Sequence, residues 1–469
     1  MTSTTKMMAT RGAVLVLLTG TTLLGLAAGP AAPVPSWGSG LEGVGPCARA
    51  DRLEVRGAEK QTFACLDDLT TAGTVVSGHT NQADWRGLHA PGTTNPTGVP
   101  GLQIDGYFPD TSTTNTNNGW QHDAQFVIRL PEEWNGGLVI TGAPGVRGQY
   151  ANDFIISDWV LSKGYAFAST DKGNTGASFY RDGSAPGGSI REWHRRVTEL
   201  TRATARVVRS AYGDKADRTY MAGISNGGYL TRWQLENNPQ LFDGGLDWEG
   251  TLFRAEGPNL LTFLPTALKH YPAYAATGDQ QAHDAMIEAG FTPGSEFLWP
   301  FHHAYYWDLT QRIYREELDP EWDGALDAGV PFCTSGTPHC DADYDYDDRP
   351  AEVEDAVRSI SLTGNIKRPM ITVHGDLDTL LPPAVDSDVY DQLIDDAGRS
   401  RLHRYYLVED GTHVDGLYAA YPDRLRPLLP CARDGFDLLT AWVEEGQAPA
   451  PDRFVPRPTG GDLVNTCSL

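Results

Sequence analysis

The chain has 469 residues, with 37 basic and 61 acidic side chains, a formal charge of −24, and 40% apolar and 10% aromatic content. That composition excludes a disordered chain, and so acidic a balance with no basic run excludes binding to a phosphate backbone, which needs clustered Lys and Arg. The length admits two or three domains, or one large domain with an insertion.

In chain order, the first thirty residues lie outside the fold. Lys6 and Arg11 form a short basic region, Ala13 to Ala28 is apolar apart from a few Thr and Gly, and small residues lead to Ala32 before Pro33. This is the layout of a secretory signal peptide cleaved within residues 28–32. A membrane anchor needs about 20 apolar residues, and this run has 16. Losing Lys6 and Arg11 takes the formal charge from −24 to −26. The six cysteines, Cys47, Cys65, Cys333, Cys340, Cys431 and Cys467, agree with export, because an even count behind a signal peptide reads as disulfides. Connectivity is open; proximity favours Cys47–Cys65, Cys333–Cys340 and Cys431–Cys467. No C-x-x-C or His-rich spacing supports zinc instead.

A Gly, Pro and Thr-rich stretch to about residue 120 reads as irregular structure with edge strands, holding short apolar pieces such as Leu102–Phe108. The pattern then sharpens. Ala124–Leu130, Gly137–Thr141, Tyr165–Ser169 and Arg218–Ile224 read as strands. Ile155–Leu161 reads as a helix, and Glu192–Ala211 as an amphipathic one, with Trp193, Val197, Leu200, Thr204, Val207 and Val208 stepping by three and four. A further helix should follow Ile224 through Leu235. Met370–Val373 (strand), Val385–Asp396 (helix), Arg404–Leu407 (strand) and Cys431–Glu445 (helix, stopped by Gly446) resume the alternation late in the chain. Alternating strands and helices mean βαβ units and a mostly parallel sheet flanked by helices, an α/β fold.

Between the two runs lies an insertion. Seven of the 17 residues from Phe291 to Trp307 are aromatic; they read either as a substrate pocket or as the insertion's own core. An acidic stretch follows, with Asp341, Asp343, Asp345 and Asp347 alternating and Glu352 at the twelfth position. This spacing is similar to a calcium loop, with Asp341, Asp343 and Asp345 as candidate ligands, but Tyr346 stands where an EF-hand has Gly. The alternative is a solvated acidic loop.

The chemistry-bearing motif is Gly223-Ile224-Ser225-Asn226-Gly227, which fits G-x-S-x-G between a strand and a helix. Small neighbours let backbone pass a strained turn, and the following helix N-terminus favours negative charge developing at the serine. A serine nucleophile needs a base and an orienting acid, in the order Ser, acid, His for this motif. His374-Gly375-Asp376-Leu377-Asp378 follows the Met370–Val373 strand; the H-G-x-x-D form common in α/β-hydrolases selects Asp378, with Asp376 as a turn residue. His413, in the loop after Arg404–Leu407, is the general-base candidate. His374 reads as structural, His403 as a surface residue, and the adjacent His302 and His303 as pointing apart. The oxyanion donors should be the N–H of Asn226 and one from the loop Gly142–Gln149, with Gly145 or Val146 the candidates since Pro144 has no N–H. Trp248, Glu249 and Gly250 end the strand before the insertion and are weaker candidates for the site wall.

These residues resemble the α/β-hydrolases of the tannase and feruloyl esterase group and the related 3-hydroxybutyrate oligomer hydrolases. The resemblance rests on Trp134-Asn135-Gly136-Gly137 leading to the Gly-rich loop, on Ser169-Thr170-Asp171-Lys172-Gly173, on Ser225-Asn226-Gly227-Gly228, and on the ending Phe436-Asp437-Leu438-Leu439 to Gly446. Tannase-type enzymes bridge a Cys before the catalytic Ser to one after the catalytic His; Ile224 and Val414 stand at those positions here. The Thr-Asp-Lys-Gly and Ser-Asn-Gly-Gly pieces look more like the oligomer hydrolases. The resemblance implies an α/β-hydrolase core over 33–249 and 361–469 with a lid over 250–360, following a signal peptide over 1–32. It implies a secreted serine ester hydrolase acting on 3-hydroxybutyrate or other hydroxyalkanoate oligomers, with phenolic aryl esters as the alternative and a catalytically dead fold used for binding as another. Such an enzyme requires no cofactor, although tannase-group relatives can hold calcium in the lid. The expected partner is a small or oligomeric ester, with no nucleic acid and no membrane anchor after cleavage.

Overall fold

Ten strands form one twisted sheet: β1 Lys60–Leu66, β2 Gly101–Tyr107, β3 Gln125–Pro131, β4 Gly137–Gly142, β5 Ala166–Thr170, β6 Arg218–Ile224, β7 Gly244–Trp248, β8 Met370–Gly375, β9 His403–Val408 and β10 Arg453–Val455. Their order is β1-β2-β3-β5-β4-β6-β7-β8-β9-β10. Pairings β1–β2, β2–β3 and β3–β5 are antiparallel and every later one is parallel. The computed structural model describes residues 45–322 and 341–469, all within one unit, Gly43–Leu469. The signal segment, Cys333 and Cys340 lie outside the described residues.

The central strands are buried on both faces and mostly apolar, because both faces are covered. Leu138 and Ile140 of β4 and Met221 of β6 enter one core. Val139, Tyr220, Ala222 and Ile224, pointing the other way, enter a second. The helix Gly188–Tyr212 lays its predicted stripe, from Trp193 to Val208, on the first side, leaving Arg195, Arg202 and Arg206 exposed. The helix Leu429–Glu445 covers the second with Phe436 and Leu439 and ends at Gly446, whose φ of 72° is the left-handed conformation that glycine adopts most readily.

Two local readings change. Leu102–Phe108 falls largely in β2, which is buried and pairs on both sides, so it is an inner strand rather than an edge; β1 supplies the edge. The segment read as a helix from Ile155 opens with a wide π turn at Asp153–Ser157 before the α-helix Asp158–Ser162. There Arg129 of β3 reaches in and pairs with Asp153 at 2.7 Å, both fully buried. Disulfides join Cys47 to Cys65 and Cys431 to Cys467.

Between β7 and β8 the described residues form five helices: Leu260–Thr277, Gln280–Glu288, Trp299–Tyr305, Trp307–Leu318 and Ala351–Arg358. Phe291, Trp299 and Trp307 are buried there, and Phe291 packs edge-on against both tryptophans. Three of the seven aromatics are therefore this insertion's own core, while Phe297 and Phe301 pack half-buried against Leu377, Leu417 and Leu425. No described helix is long and apolar enough to cross a membrane.

Candidate active site

Ser225 sits between β6 and the helix Asn226–Asn237 with φ 58° and ψ −124°, a conformation that a non-glycine residue holds only when its surroundings enforce it. The two motif glycines provide the room. A Cβ on Gly223 would overlap the Gly227 backbone, and one on Gly227 would stand 2.7 Å from the Gly142 carbonyl oxygen. The turn is thus wedged between its own helix and the end of β4.

The ends of three strands meet here. His413 Nε2 lies 3.1 Å from Ser225 Oγ, and His413 Nδ1 lies 2.7 Å from Asp378 Oδ2. A carboxylate only accepts, so Nδ1 carries the proton and Nε2 is left to accept from the serine hydroxyl. Asp378 is fully buried; its Oδ1 accepts the N–H groups of Leu380 at 2.8 Å and Leu381 at 2.9 Å. Burial opposes its ionisation, but His413 and the hydrogen bonds from His374 and His413 outweigh it, holding the carboxyl well below the usual range. Asp376 instead accepts the Asp410 N–H at 2.8 Å as a turn residue, and burial raises its carboxyl to about 7.

Behind Asp378 runs a fully connected polar network. His374 donates from Nε2 to Leu381 O at 2.9 Å and more loosely to Asp378 Oδ2 at 3.3 Å, while its Nδ1 accepts from Ser387 Oγ at 2.6 Å. Ser387 in turn accepts from Arg232 of the nucleophile helix at 2.8 Å, and Arg232 is clamped between Asp247 at 2.7 Å and Asp386 at 2.8 Å. The helix carrying Ser225 and the loop carrying Asp378 are therefore held by one buried cluster. Glu249, fully buried at the end of β7, stands in mutual reach of His374 and Asp378 and accepts the Gly375 N–H at 3.3 Å. Burial, with the Asp378 charge beside it, pushes its carboxyl well above the usual range. It does not line the cavity over Ser225; it backs the acid.

That cavity measures about 240 Å³ and is walled by Leu88, Val146, Ile224, Leu260, Leu309, Ile313, Leu380, Leu381 and Val414, with Gly145, Arg147, Asn226, Tyr306 and Tyr314 among its polar contributors. Of the predicted aromatic run only Tyr306 reaches it. Ile224 and Val414, at the positions where tannase-type enzymes carry bridged cysteines, are wall residues. Asn226 begins its helix, so its N–H has no partner within that helix. Its side-chain amide donates to Gly145 O at 2.9 Å and to Tyr314 Oη at 2.6 Å, and its Oδ1 accepts from Thr251 at 3.1 Å. Gly145, at φ 50°, and Val146 face the same cavity. The structure thus brings Ser225, Asp378, His413, Asn226, Gly145 and Val146 together.

It does not gather the acidic candidates. Asp341 is buried and paired with Arg315 at 2.9 Å, Asp345 accepts the Asp347 N–H at 3.1 Å, and among the described residues Asp341, Asp343 and Asp345 form no cluster of metal-ligand spacing. A guanidinium in contact with Asp341 neutralises the charge a cation would need. His403 is a second correction. It is buried rather than on the surface, bridging Thr372 at 2.9 Å and Asp391 at 2.8 Å, because a β9 residue entering the sheet has its neighbours already in place. His302 and His303 do point apart: His302 bonds Thr379 of the acid loop at 2.8 Å, while His303 packs on Tyr271. Burial lowers His302 to about 4, so it is neutral. Sequence reasoning missed Tyr314 and the contact of His302 with the acid loop; only helical spacing inside the insertion marks them, and that does not reveal which strand end they meet.

Parallel strands with crossover helices, a strained serine between strand and helix, and acid and histidine at later strand ends make up the α/β-hydrolase fold. Two Aspergillus oryzae structures share this fold: feruloyl esterase B (TM-score 0.50, 13% identity, 85% of this chain and 90% of that one) and an esterase (TM-score 0.50, 14%, 86% and 89%). Residues 111–248 match the family model described as tannase and feruloyl esterase. The mono(2-hydroxyethyl) terephthalate hydrolase of Piscinibacter sakaiensis is 26% identical over 140 residues, which is 27% of this chain and only 23% of that protein's length. The chain is thus similar to the tannase and feruloyl esterase family over residues 111–248 and shares the fold of two esterases over most of its length.

Proposed function

We propose that the chain is a serine carboxylic ester hydrolase. The observation that carries this reading is the hydrogen-bond chain Ser225–His413–Asp378, at 3.1 and 2.7 Å, opening onto an apolar cavity. His413 Nε2 takes the proton as Ser225 Oγ attacks the ester carbonyl, and Asp378 stabilises the imidazolium. The oxyanion is held by the N–H of Asn226 and that of Gly145 or Val146. His413 protonates the departing alcohol, then activates a water that resolves the acyl-enzyme. No cofactor enters these steps. Export is part of the proposal, supported by the Cys47–Cys65 and Cys431–Cys467 bridges.

Hydroxyalkanoate oligomers such as 3-hydroxybutyrate dimers are the proposed substrates, supported by the Thr170-Asp171-Lys172-Gly173 and Ser225-Asn226-Gly227-Gly228 pieces and by the missing cysteine pair. The second reading, phenolic aryl esters, is favoured by the family match over 111–248. Hydrolysis of p-nitrophenyl butyrate by the purified protein beside Ser225→Ala tests the chemistry. Equal activity in both would sink the assignment of Ser225; inactivity of both would favour a binding-only fold. Linear 3-hydroxybutyrate dimers against methyl ferulate and methyl gallate then decide the substrate class.

A further inference from the structure

The cavity over Ser225 has one basic side chain, an arginine, in an otherwise uncharged and largely apolar lining. Arg147 lines it, two residues beyond Gly145 on the same loop. Its Nη1 donates to two backbone carbonyls, Asp84 O at 2.8 Å and Arg86 O at 3.0 Å, which fix the guanidinium plane. Among the described residues no carboxylate lies within ion-pair distance of it. The nearest acid, Asp84, is occupied by Asn81 at 3.2 Å and Asn117 at 2.8 Å. Tyr306, also of the cavity wall, is the other group that feels its charge. An unneutralised guanidinium in an apolar pocket is costly to hold, and a planar fork with one edge already pinned presents the other edge for a carboxylate. Arg147 is half-buried, whereas the buried Arg129, Arg232 and Arg315 each pair with an acid.

We infer that Arg147 is the substrate-carboxylate anchor, so that this enzyme selects short esters bearing a free carboxylate over their neutral counterparts. The inference rests on the esterase reading of the same site. Because Arg147, Gly145 and Val146 belong to one loop and line one cavity of about 240 Å³, an anchored carboxylate shares that cavity with the oxyanion, within the span of a small substrate. A 3-hydroxybutyrate dimer, with its carboxylate two carbons from the ester oxygen, has that span; a methyl ester of a phenolic acid has no such group.

The test uses the whole mature protein. Against p-nitrophenyl butyrate, 3-hydroxybutyrate should inhibit competitively at least tenfold more tightly than the isosteric 3-hydroxybutyramide. The kcat/KM for the free-acid dimer should exceed that for its methyl ester by a similar factor, mainly through KM. Arg147→Gln should bring both ratios near one, and Arg147→Lys should restore part of them. Equal inhibition by acid and amide in the wild type overturns the inference without any variant. So does an Arg147→Gln protein that loses both dimers in equal proportion, because that is the signature of a loop staple. Failure of the wild type on p-nitrophenyl butyrate would instead strike the esterase reading itself.

Discussion

Asp378→Asn is the sharpest perturbation of the proposed mechanism, because the structure dictates how the amide will sit. Oδ1 of Asp378 accepts two backbone N–H groups, from Leu380 and Leu381. An asparagine must keep its oxygen there, which puts the NH₂ where Oδ2 now faces His413 Nδ1 at 2.7 Å and His374 Nε2 at 3.3 Å. A donor opposite Nδ1 forces the proton of His413 onto Nε2. That nitrogen then points a hydrogen at Ser225 Oγ and cannot accept from it. The loss expected for a wrong tautomer with unchanged geometry is about 10⁴ in kcat, or roughly 5.5 kcal/mol of transition-state stabilisation. KM for a neutral ester should change by less than about threefold, since the cavity wall is untouched. Steady-state hydrolysis of p-nitrophenyl butyrate between pH 6 and 9, with circular dichroism melting to verify folding, reads this directly. A folded variant within tenfold of wild type would refute the tautomer argument and transfer the orienting role elsewhere, with Glu249 the first suspect.

Four other perturbations have defined outcomes. Glu249 has a raised folded-state pKa, so its contribution to stability is full below its unfolded pKa of about 4.3 and is lost as pH rises; Glu249→Gln should raise the melting temperature at pH 8 and leave it unchanged at pH 4, and a lower melting temperature at pH 8 would contradict the sign. Arg232→Met strands Asp247 and Asp386 in the interior and should cost about 3–5 kcal/mol in denaturant unfolding; a loss below about 1 kcal/mol would mean the network is not what joins the two loops. Tyr314→Phe leaves one hydrogen of the Asn226 amide unpaired, a penalty of about 1–3 kcal/mol, and should lower kcat more than it raises KM, as single-turnover kinetics would report. Cys467→Ser should lower stability by about 2–4 kcal/mol, and reducing agent should move the wild type in the same direction.

Elements that follow from one-dimensional periodicity were legible in the chain. The stripe from Trp193 to Val208, the four-to-seven-residue apolar strands and the glycine stop at Gly446 need no knowledge of distant partners. Ser225, Asp378 and His413 were legible too, because each sits just past a strand that its own neighbours identify. What was hidden depends on pairs far apart in sequence. Arg129 interrupts an apolar strand, and nothing nearby announces that Asp153 meets it. Asp341 looked like a metal ligand because Arg315 is invisible from its side, and His403 looked exposed because its partners Thr372 and Asp391 come from other elements. Glu249 is legible as the end of the strand before the insertion, but its place behind Asp378 rather than in the site wall emerges only from the sheet order.

The contact between Tyr314 and Asn226 has a consequence for anyone reshaping this enzyme. The insertion's fourth helix supplies a hydroxyl to the side chain whose own backbone is the proposed oxyanion donor, and the same amide grips Gly145 on the opposite wall. The insertion is therefore not an exchangeable cover above a finished catalytic floor. Grafting a roof from another hydrolase would remove a strut from the floor, and turnover should fall even for substrates too small to touch the roof.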